Sequence, residues 1–489
     1  MKKRYQTKKG VCSAIAFCLL LVAFNSGCKK FLDIPAPNTQ QVTSTVFNNY
    51  ASATSAQVYI YTQMAGGESY NMARSMGLYS DELTNYATDN IDAQLYTNSL
   101  QALSNPGPWN TTAYKYIYDA NAVIDGLATT SGCSAAVKGQ LTGEALFIRA
   151  FWHFYLTNIY GDVPLVLTTN SIVNESSARS PRKLVLQQVV ADLEQAKDLL
   201  NANYVTAADT VTTTERVRPN KAAALALLAR AWLYLGDYDG ANAQDYVKAD
   251  SAASAVIANS NYSLVPLNNV FLENSSEAIW QLETPSNATS DTPDGLNFIL
   301  TSAPASGRSQ TALSTQLVST FESGDQRLVN WVGTFTSGTA TYYYPFKYKQ
   351  IAYENQEFTM VLRLGEQYLI RAEAEAHESK IADAQADLNS IRTRAGLPNT
   401  TAATPSDLLT AVLHERQVEL FTEWGSRWFD LCRAVSAKLP VNANTVMGAP
   451  GNACQSKGGA WSSTGYQLLF PVPLTQILDN KNLTQNPGY

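Results

Sequence analysis

Between Leu141 and Ile159 the apolar side chains Leu141, Ala145, Ile148, Trp152, Tyr155 and Ile159 recur at alternating steps of four and three residues. An α-helix puts such a series on one side, so the stretch predicts a long amphipathic helix, stopped by Gly161 and Pro164. The same rhythm returns along the chain. It predicts a helix from about Asn220 to Leu235 ending at Gly236, and another from Leu364 to about Glu378. A fourth carries the seam Ala384, Leu388, Ile391 and Ala395, closed by Gly396 and Pro398. Thr404, Pro405 and Asp407 supply a cap, a first-turn proline and an early acid for a fifth, expected to run through the Glu-rich stretch beyond Arg416.

Two of these regions are alike. A shift of 141 residues lays Arg230-Ala231 on Arg371-Ala372, and Ala241 and Ala243 on Ala382 and Ala384, each pair flanking a short turn between helices. A third Arg-Ala pair, Arg149-Ala150, lies in the first long helix. Small residues at fixed offsets let two helices approach closely, the packing logic of tetratricopeptide-type hairpins. The segments 205–215, 283–312, 333–341 and 439–465 are rich in Thr, Ser, Asn, Gly and Pro and read as loops.

The start of the chain reads differently. Lys2, Lys3, Arg4, Lys8 and Lys9 precede the apolar run Val11 to Phe24, which is shorter than the roughly 20 residues a membrane span needs, so residues 1–27 read as a secretory signal. Asn25-Ser26-Gly27-Cys28 resembles a bacterial lipobox, although Asn25 stands where an aliphatic residue is usual; Cys28 is then the acylated first residue. Without residues 1–27 the chain has 30 Lys and Arg against 41 Asp and Glu, a charge of −11 that disfavours nucleic acid and anionic ligands. Cys133, Cys432 and Cys454 are then the only thiols, too few for a disulfide framework.

Enzymatic and cofactor motifs are missing. There is no G-x-S-x-G, no G-x-x-x-x-G-K-[ST], no H-E-x-x-H and no C-x-x-C, so no cofactor or metal is expected. His414-Glu415 begins like a zinc-protease helix, but Val418 occupies the second histidine's place. Glu415, Glu419 and Glu423 recur every four residues, and glycoside hydrolysis needs two carboxylates flanking a sugar. Residues on one helix face point the same way, however, and with Arg416, Arg427 and Arg433 nearby they read as a buried ion-pair network. His153, Trp109, Trp424 and Trp428 read as packed scaffold.

The stretches CKKFLDIPAP (28–37), RAFWHFYLTNIYGDVPLV (149–166), RPNKAAALALLARAWLYLGDYDGA (218–241), LRLGEQYLIRAEAEA (362–376), DLNSIRTRAGLP (387–398), ERQVELFTEWGSRWFDLCR (415–433) and LFPVPLTQILDNKNLTQNPGY (469–489) together resemble the SusD/RagB family. The resemblance implies a mostly α fold, a tetratricopeptide-like helical scaffold with an irregular loop-rich subdomain. It further implies an outer-membrane lipoprotein that binds a glycan or other nutrient, without catalysis, and passes it to a SusC-like TonB-dependent transporter. The expected divisions are the leader 1–27 and a body 28–489, helical to about 282, loop-rich over about 283–360 and helical with a tail over about 361–489. A peptide receptor, a structural lid for the transporter and a glycan hydrolase are the rival readings.

A pyranose has an apolar C–H face and a rim of hydroxyls, so aromatic rings among amides on loops are the expected glycan contacts. Asn85, Tyr86 and Tyr96 lie among Asn, Asp and Gln; Phe298 and Arg308 lie in the long loop; Trp331 and Tyr342 follow the turn at Gly324-Asp325. These seven are the predicted ligand residues.

Overall fold

A computed structural model describes residues 46–489 apart from Asn105, Ser306 and Pro450. The leader and Cys28 lie outside the described residues. The longer helices are α1 (Tyr50–Ala65), α2 (Glu68–Tyr79), α3 (Tyr114–Thr129), α4 (Ala135–Tyr160), α5 (Arg182–Leu199), α6 (Lys221–Tyr238), α7 (Ala243–Ile257), α8 (Leu364–His377), α9 (Ile381–Arg394), α10 (Pro405–Glu419) and α11 (Ser426–Ser436). Local chemistry sets their ends. Ser134 caps α4 by accepting from Val137 N at 3.3 Å, and Gly161, at φ +76°, ends it. Thr404 caps α10 by accepting from Asp407 N at 3.2 Å, with Pro405 in its first turn.

Neighbouring helices pack in sequence: α3 on α4, α4 on α5, α5 on α6, α6 on α7, α7 on α8 and α8 on α9. This is the hairpin stack the repeats predict. Leu369, Ala372 and Ala376 of α8 meet the predicted α9 seam, Ala384, Leu388 and Ile391, and Leu408 and Val412 of α10 close the cluster. The arginine of each Arg-Ala pair makes a bidentate carboxylate bond: Arg149 to Asp192 at 2.8 and 2.7 Å, Arg230 to Glu366 at 2.8 and 2.5 Å, and Arg371 to Asp387 at 2.5 and 2.6 Å. Helix α6 runs past its predicted stop, because Gly236 serves packing rather than capping; a Cβ there would lie 2.9 Å from the Tyr246 ring of α7.

The Glu-rich stretch also departs from expectation. Helix α10 ends at Glu419, and Thr422, Trp424 and Gly425 all take positive φ before α11 begins. Glu423 therefore sits in the connecting turn, off the helix face shared by Glu415 and Glu419. Left-handed backbone at a tryptophan is costly. It is held there by Trp424 Nε1 donating to Met360 O at 2.9 Å and by Arg363 donating to Glu423 at 2.8 and 3.0 Å.

Strands are short and paired in twos. β1 (Leu83–Asn85) pairs antiparallel with β3 (Thr311–Leu313), and β2 (Ala278–Leu282) with β6 (Thr359–Arg363). β4 (Val332–Ser337) and β5 (Ala340–Pro345) form a hairpin over most of the segment 333–341, which composition alone marks as loop. Gly338, at φ +61°, supplies its turn. Phe47 to Tyr489 make up one compact unit, and among the described residues no helix is long and apolar enough to cross a membrane.

Candidate functional site

The β1–β3 ladder brings distant segments to one edge. Its register sets Asn85 opposite Thr311, and Tyr86 N continues the ladder by donating to Gln310 O at 2.8 Å. β5 lies beside β3 and carries Tyr342, whose ring meets that of Tyr86 edge-on at 5.6 Å between centroids. Tyr96 ends the short helix Asn90–Tyr96, which Asp89 caps, and hydrogen-bonds to Thr84. All three tyrosines are partly exposed. Partial burial raises the Tyr86 hydroxyl above its usual range, and the nearby Tyr342 and Tyr96 add to this. A phenol hydroxyl can both donate and accept.

Asn85 acts partly on its own turn: Oδ1 accepts from Ala87 N at 2.9 Å and Nδ2 donates to Ala87 O at 3.3 Å. It thereby fixes the bend that presents Tyr86. Arg308 is exposed in the approach to β3, two residues before Gln310. Four of the predicted residues, Asn85, Tyr86, Tyr96 and Tyr342, thus meet at one edge, with Arg308 near it along the chain.

Trp331 and Phe298 do not join them. Trp331 is 0% exposed; its Nε1 donates to Leu267 O at 3.0 Å, and Lys347, Arg363 and Arg394 stand 5.0, 5.9 and 5.8 Å from its ring centroid. Phe298 is 3% exposed and packs edge-on against Tyr70 at 4.9 Å. Neither ring offers a face to a sugar. Both lie in segments that look like polar loops in sequence, but each ends a short helix packed inward.

The sequence does not flag two contributors. Arg74 of α2 donates to Gln310 Oε1 at 2.6 Å and pairs with Asp92, tying α2 to both the ladder and the Tyr96 helix. Lys457 is buried, donates to the carbonyls of Leu78, Tyr79 and Ser80, and stands 5.3 Å from the Tyr96 ring centroid. Burial pushes its ammonium down to about 7. Residues that work by capping a remote helix end carry no local motif.

The carboxylates are arranged for structure. Glu419 accepts from Arg363 at 2.6 Å, Arg327 at 3.0 Å and Arg394, while Arg363 also reaches Glu277 at 3.0 Å. Burial alone would raise the Glu419 carboxyl, but Arg394, Arg363 and Arg327 outweigh it and hold the group far below the usual range. Glu415 and Glu419 are both 0% exposed, so no sugar reaches them. The expected network is present with different partners: Arg427 pairs with Asp81, Arg416 with Asp430, and Arg433 with Asp237, Glu373 and Asp430. His153 is packed as predicted, its ring nitrogens bonded to Arg149 O at 2.9 Å and Val166 N at 3.2 Å. Burial lowers it to about 4, so it is neutral.

One group has metal-like spacing. Asp237, Glu373 and His377 offer ligand atoms within 4.8 Å of one another. Arg433 already bonds Asp237 at 2.7 Å and Glu373 at 2.8 Å, supplying the positive charge an ion would bring. Cys133, Cys432 and Cys454 are free and buried.

Two family models match the sequence: the SusD family over residues 333–489, and a family described as starch-binding and associating with the outer membrane over residues 30–234. This chain is a SusD-like protein. SusD-like protein P2 of Formosa agariphila is 25% identical over 429 residues, covering 77% of this chain and 79% of its own. A SusD superfamily protein of Parabacteroides distasonis superposes with a TM-score of 0.74 at 22% identity, covering 92% of this chain and all of its own. A laminarin-binding SusD-like protein does so with a TM-score of 0.72 at 22% identity, over 90% of this chain and all of its own. These likenesses establish the SusD-like helical fold.

Proposed function

We propose that this SusD-like protein is a non-catalytic glycan receptor, anchored to the outer membrane by lipid on Cys28, that hands an oligosaccharide to a SusC-like TonB-dependent transporter. The observation that carries the reading is the convergence of Tyr86, Tyr96 and Tyr342, partly exposed, beside the amide of Asn85. Ring faces take the C–H face of a pyranose, while phenol tips and amide take its hydroxyls without net charge. The family description as starch-binding and the laminarin-binding structural relative favour a neutral glucan as the first ligand to try. Burial of Glu415 and Glu419 behind guanidinium groups supports binding without hydrolysis.

The test is calorimetric titration of the full-length protein, in a detergent without a sugar headgroup, with malto- and laminari-oligosaccharides. Saturable binding that Tyr86→Ala and Tyr342→Ala weaken, with the oligosaccharide recovered intact, is the expected result. Release of shorter products reinstates the hydrolase, and binding of peptides but no glycan the peptide receptor. Fatty-acid labelling of wild type and Cys28→Ser checks the anchor, and co-purification with the membrane transporter checks the partner.

A further inference from the structure

A second concavity, of about 590 Å³, shares none of the residues of the tyrosine edge. One wall is aromatic. Trp109 starts the π-helical turn Trp109–Ala113 that leads into α3, and Tyr114 and Tyr118 follow at a spacing of four residues. On a helix that spacing sets the two side chains about 5–6 Å apart on one face, close to the length of one pyranose unit. The Trp109 ring braces Tyr114 edge-on at 5.4 Å, and Tyr114 Oη donates to Pro164 O at 3.0 Å. Tyr118 is 47% exposed.

The facing wall is polar. It carries Glu175, at the end of the short helix Ser171–Glu175, and Gln476 and Asp479, on the short helix Leu474–Asp479. The two helices are laced together: Asn480 Nδ2 donates to Ser177 O at 2.8 Å and Asn482 Nδ2 to Ser176 O at 2.7 Å. Among the described residues the side chains of Glu175, Gln476 and Asp479 have no hydrogen-bond or ion-pair partner, so their bonding capacity is unused at the cleft.

We propose that this cleft is a second saccharide-binding site, specific for neutral glycans. The Tyr118 ring, with the half-buried Tyr114 beside it and Trp109 bracing from beneath, receives a sugar's C–H face while the carboxylates and the amide receive its hydroxyls. Two unpaired carboxylates repel uronates and sulfated sugars. With a site at the tyrosine edge and another here, one chain engages a polymer at two points, and the second engagement is effectively intramolecular.

The experiment compares full-length wild type, Tyr118→Ala with Gln476→Ala, Tyr86→Ala with Tyr342→Ala, and all four changes together. Each is titrated with soluble starch, laminarin, polygalacturonate and the corresponding short neutral oligosaccharides. Tyr118 is about half exposed and the Gln476 side chain makes no hydrogen bond, so an unchanged melting temperature is the folding control. The cleft pair is expected to lower affinity for a neutral polymer on the order of a hundredfold, leaving short-oligosaccharide binding at the tyrosine edge intact. The Tyr86/Tyr342 pair should retain weak polymer binding that disappears in the fourfold variant. Polymer binding by the cleft pair equal to wild type overturns the proposal, as does Tyr118-dependent binding of polygalacturonate or of an apolar peptide with neutral-glycan binding unaltered. Polymer binding that is lost with the cleft pair but indifferent to Tyr86 and Tyr342 supports this site and removes the other. No binding of any neutral polymer by wild type overturns both.

Discussion

The junction of α10 and α11 and the β1–β3–β5 edge draw on similar residue types, aromatics beside polar and charged groups, and use them in opposite ways. At the junction every guanidinium of Arg327, Arg363 and Arg394 is matched to Glu277, Glu415, Glu419 or Asp325, and Trp331 lies sealed beneath them. At the edge Tyr86, Tyr96 and Tyr342 keep part of each ring in solvent. A saturated region can only hold shape. A region with bonding capacity to spare can hold something else, and only there should a mutation change binding without changing the fold.

Glu419→Ala is the most severe way to strain that contrast. It strips three buried guanidiniums of a shared carboxylate, and breaking a buried pair costs about 3 to 5 kcal/mol. The variant should melt far below wild type while binding normally per folded molecule. A Glu419→Ala protein that melts like wild type but has lost its ligand would transfer the binding role to the junction.

Trp331→Ala tests the same division with a ring in place of a charge. Emptying a fully buried tryptophan site costs about 3 to 5 kcal/mol, so thermal unfolding should move sharply. If stability holds and glycan affinity falls instead, the ring is reachable in solution and the burial seen here is not the binding state.

Tyr342→Ala should do the reverse. A central aromatic contact commonly contributes about 2 kcal/mol, roughly a thirtyfold loss of affinity, and little folding energy is at stake for a residue on a half-exposed hairpin. Titration at low and high salt sharpens this further, because stacking and neutral hydrogen bonds are little screened. Loss of binding in high salt would point to an ionic ligand.

A pH-dependent effect comes from the residue between the two regions. Burial pushes the Glu82 carboxyl up to about 8, with Asp81 adding to it, whereas an unfolded glutamate titrates near about 4.3. The folded chain therefore holds this proton more tightly, and its contribution to stability falls as pH rises from about 4.3 towards 8. Glu82→Gln removes that slope, so the melting temperature of the variant relative to wild type should be higher at pH 8 than at pH 5. An identical difference at both values would mean that Glu82 is ionised in the fold. Lys457, pushed down to about 7, contributes the opposite trend at higher pH, but it is common to both proteins and cancels.

The helices were legible because their information is local: the stripe of α4, the seam of α9 and the cap of α10 each lie within a few turns of chain. The saturated character of the Glu/Arg junction was legible too, since charges that dense amid apolar residues have to be paired when buried. The partners were not, because Glu419 finds Arg327, Arg363 and Arg394 on other elements while Arg427 finds Asp81 from the far end of the sequence. The candidate site was half legible. Composition pointed to aromatics in polar surroundings, yet it cannot separate Tyr342, on an outward hairpin face, from Trp331, at the end of a helix turned inward. That difference is set by the β1–β3 register and by the packing of a short helix, both of which are long-range.

The β2–β6 ladder sets Leu282 opposite Thr359, so the chain leaves the scaffold and returns to it at neighbouring points. Everything from residue 283 to 358 hangs from that clasp, including Gln310, β3 and the Tyr342 hairpin. Loop closure entropy rises only slowly with length, so the stretches of the segment that make no tie to the scaffold can be lengthened or shortened without disturbing the stack of hairpins beneath it. The clasp works as a socket for interchangeable parts. A transplanted segment has to keep the strand that mates with β1, together with the Arg327 and Trp331 that lock into the Glu419 junction, for a new set of side chains to be delivered beside Tyr86.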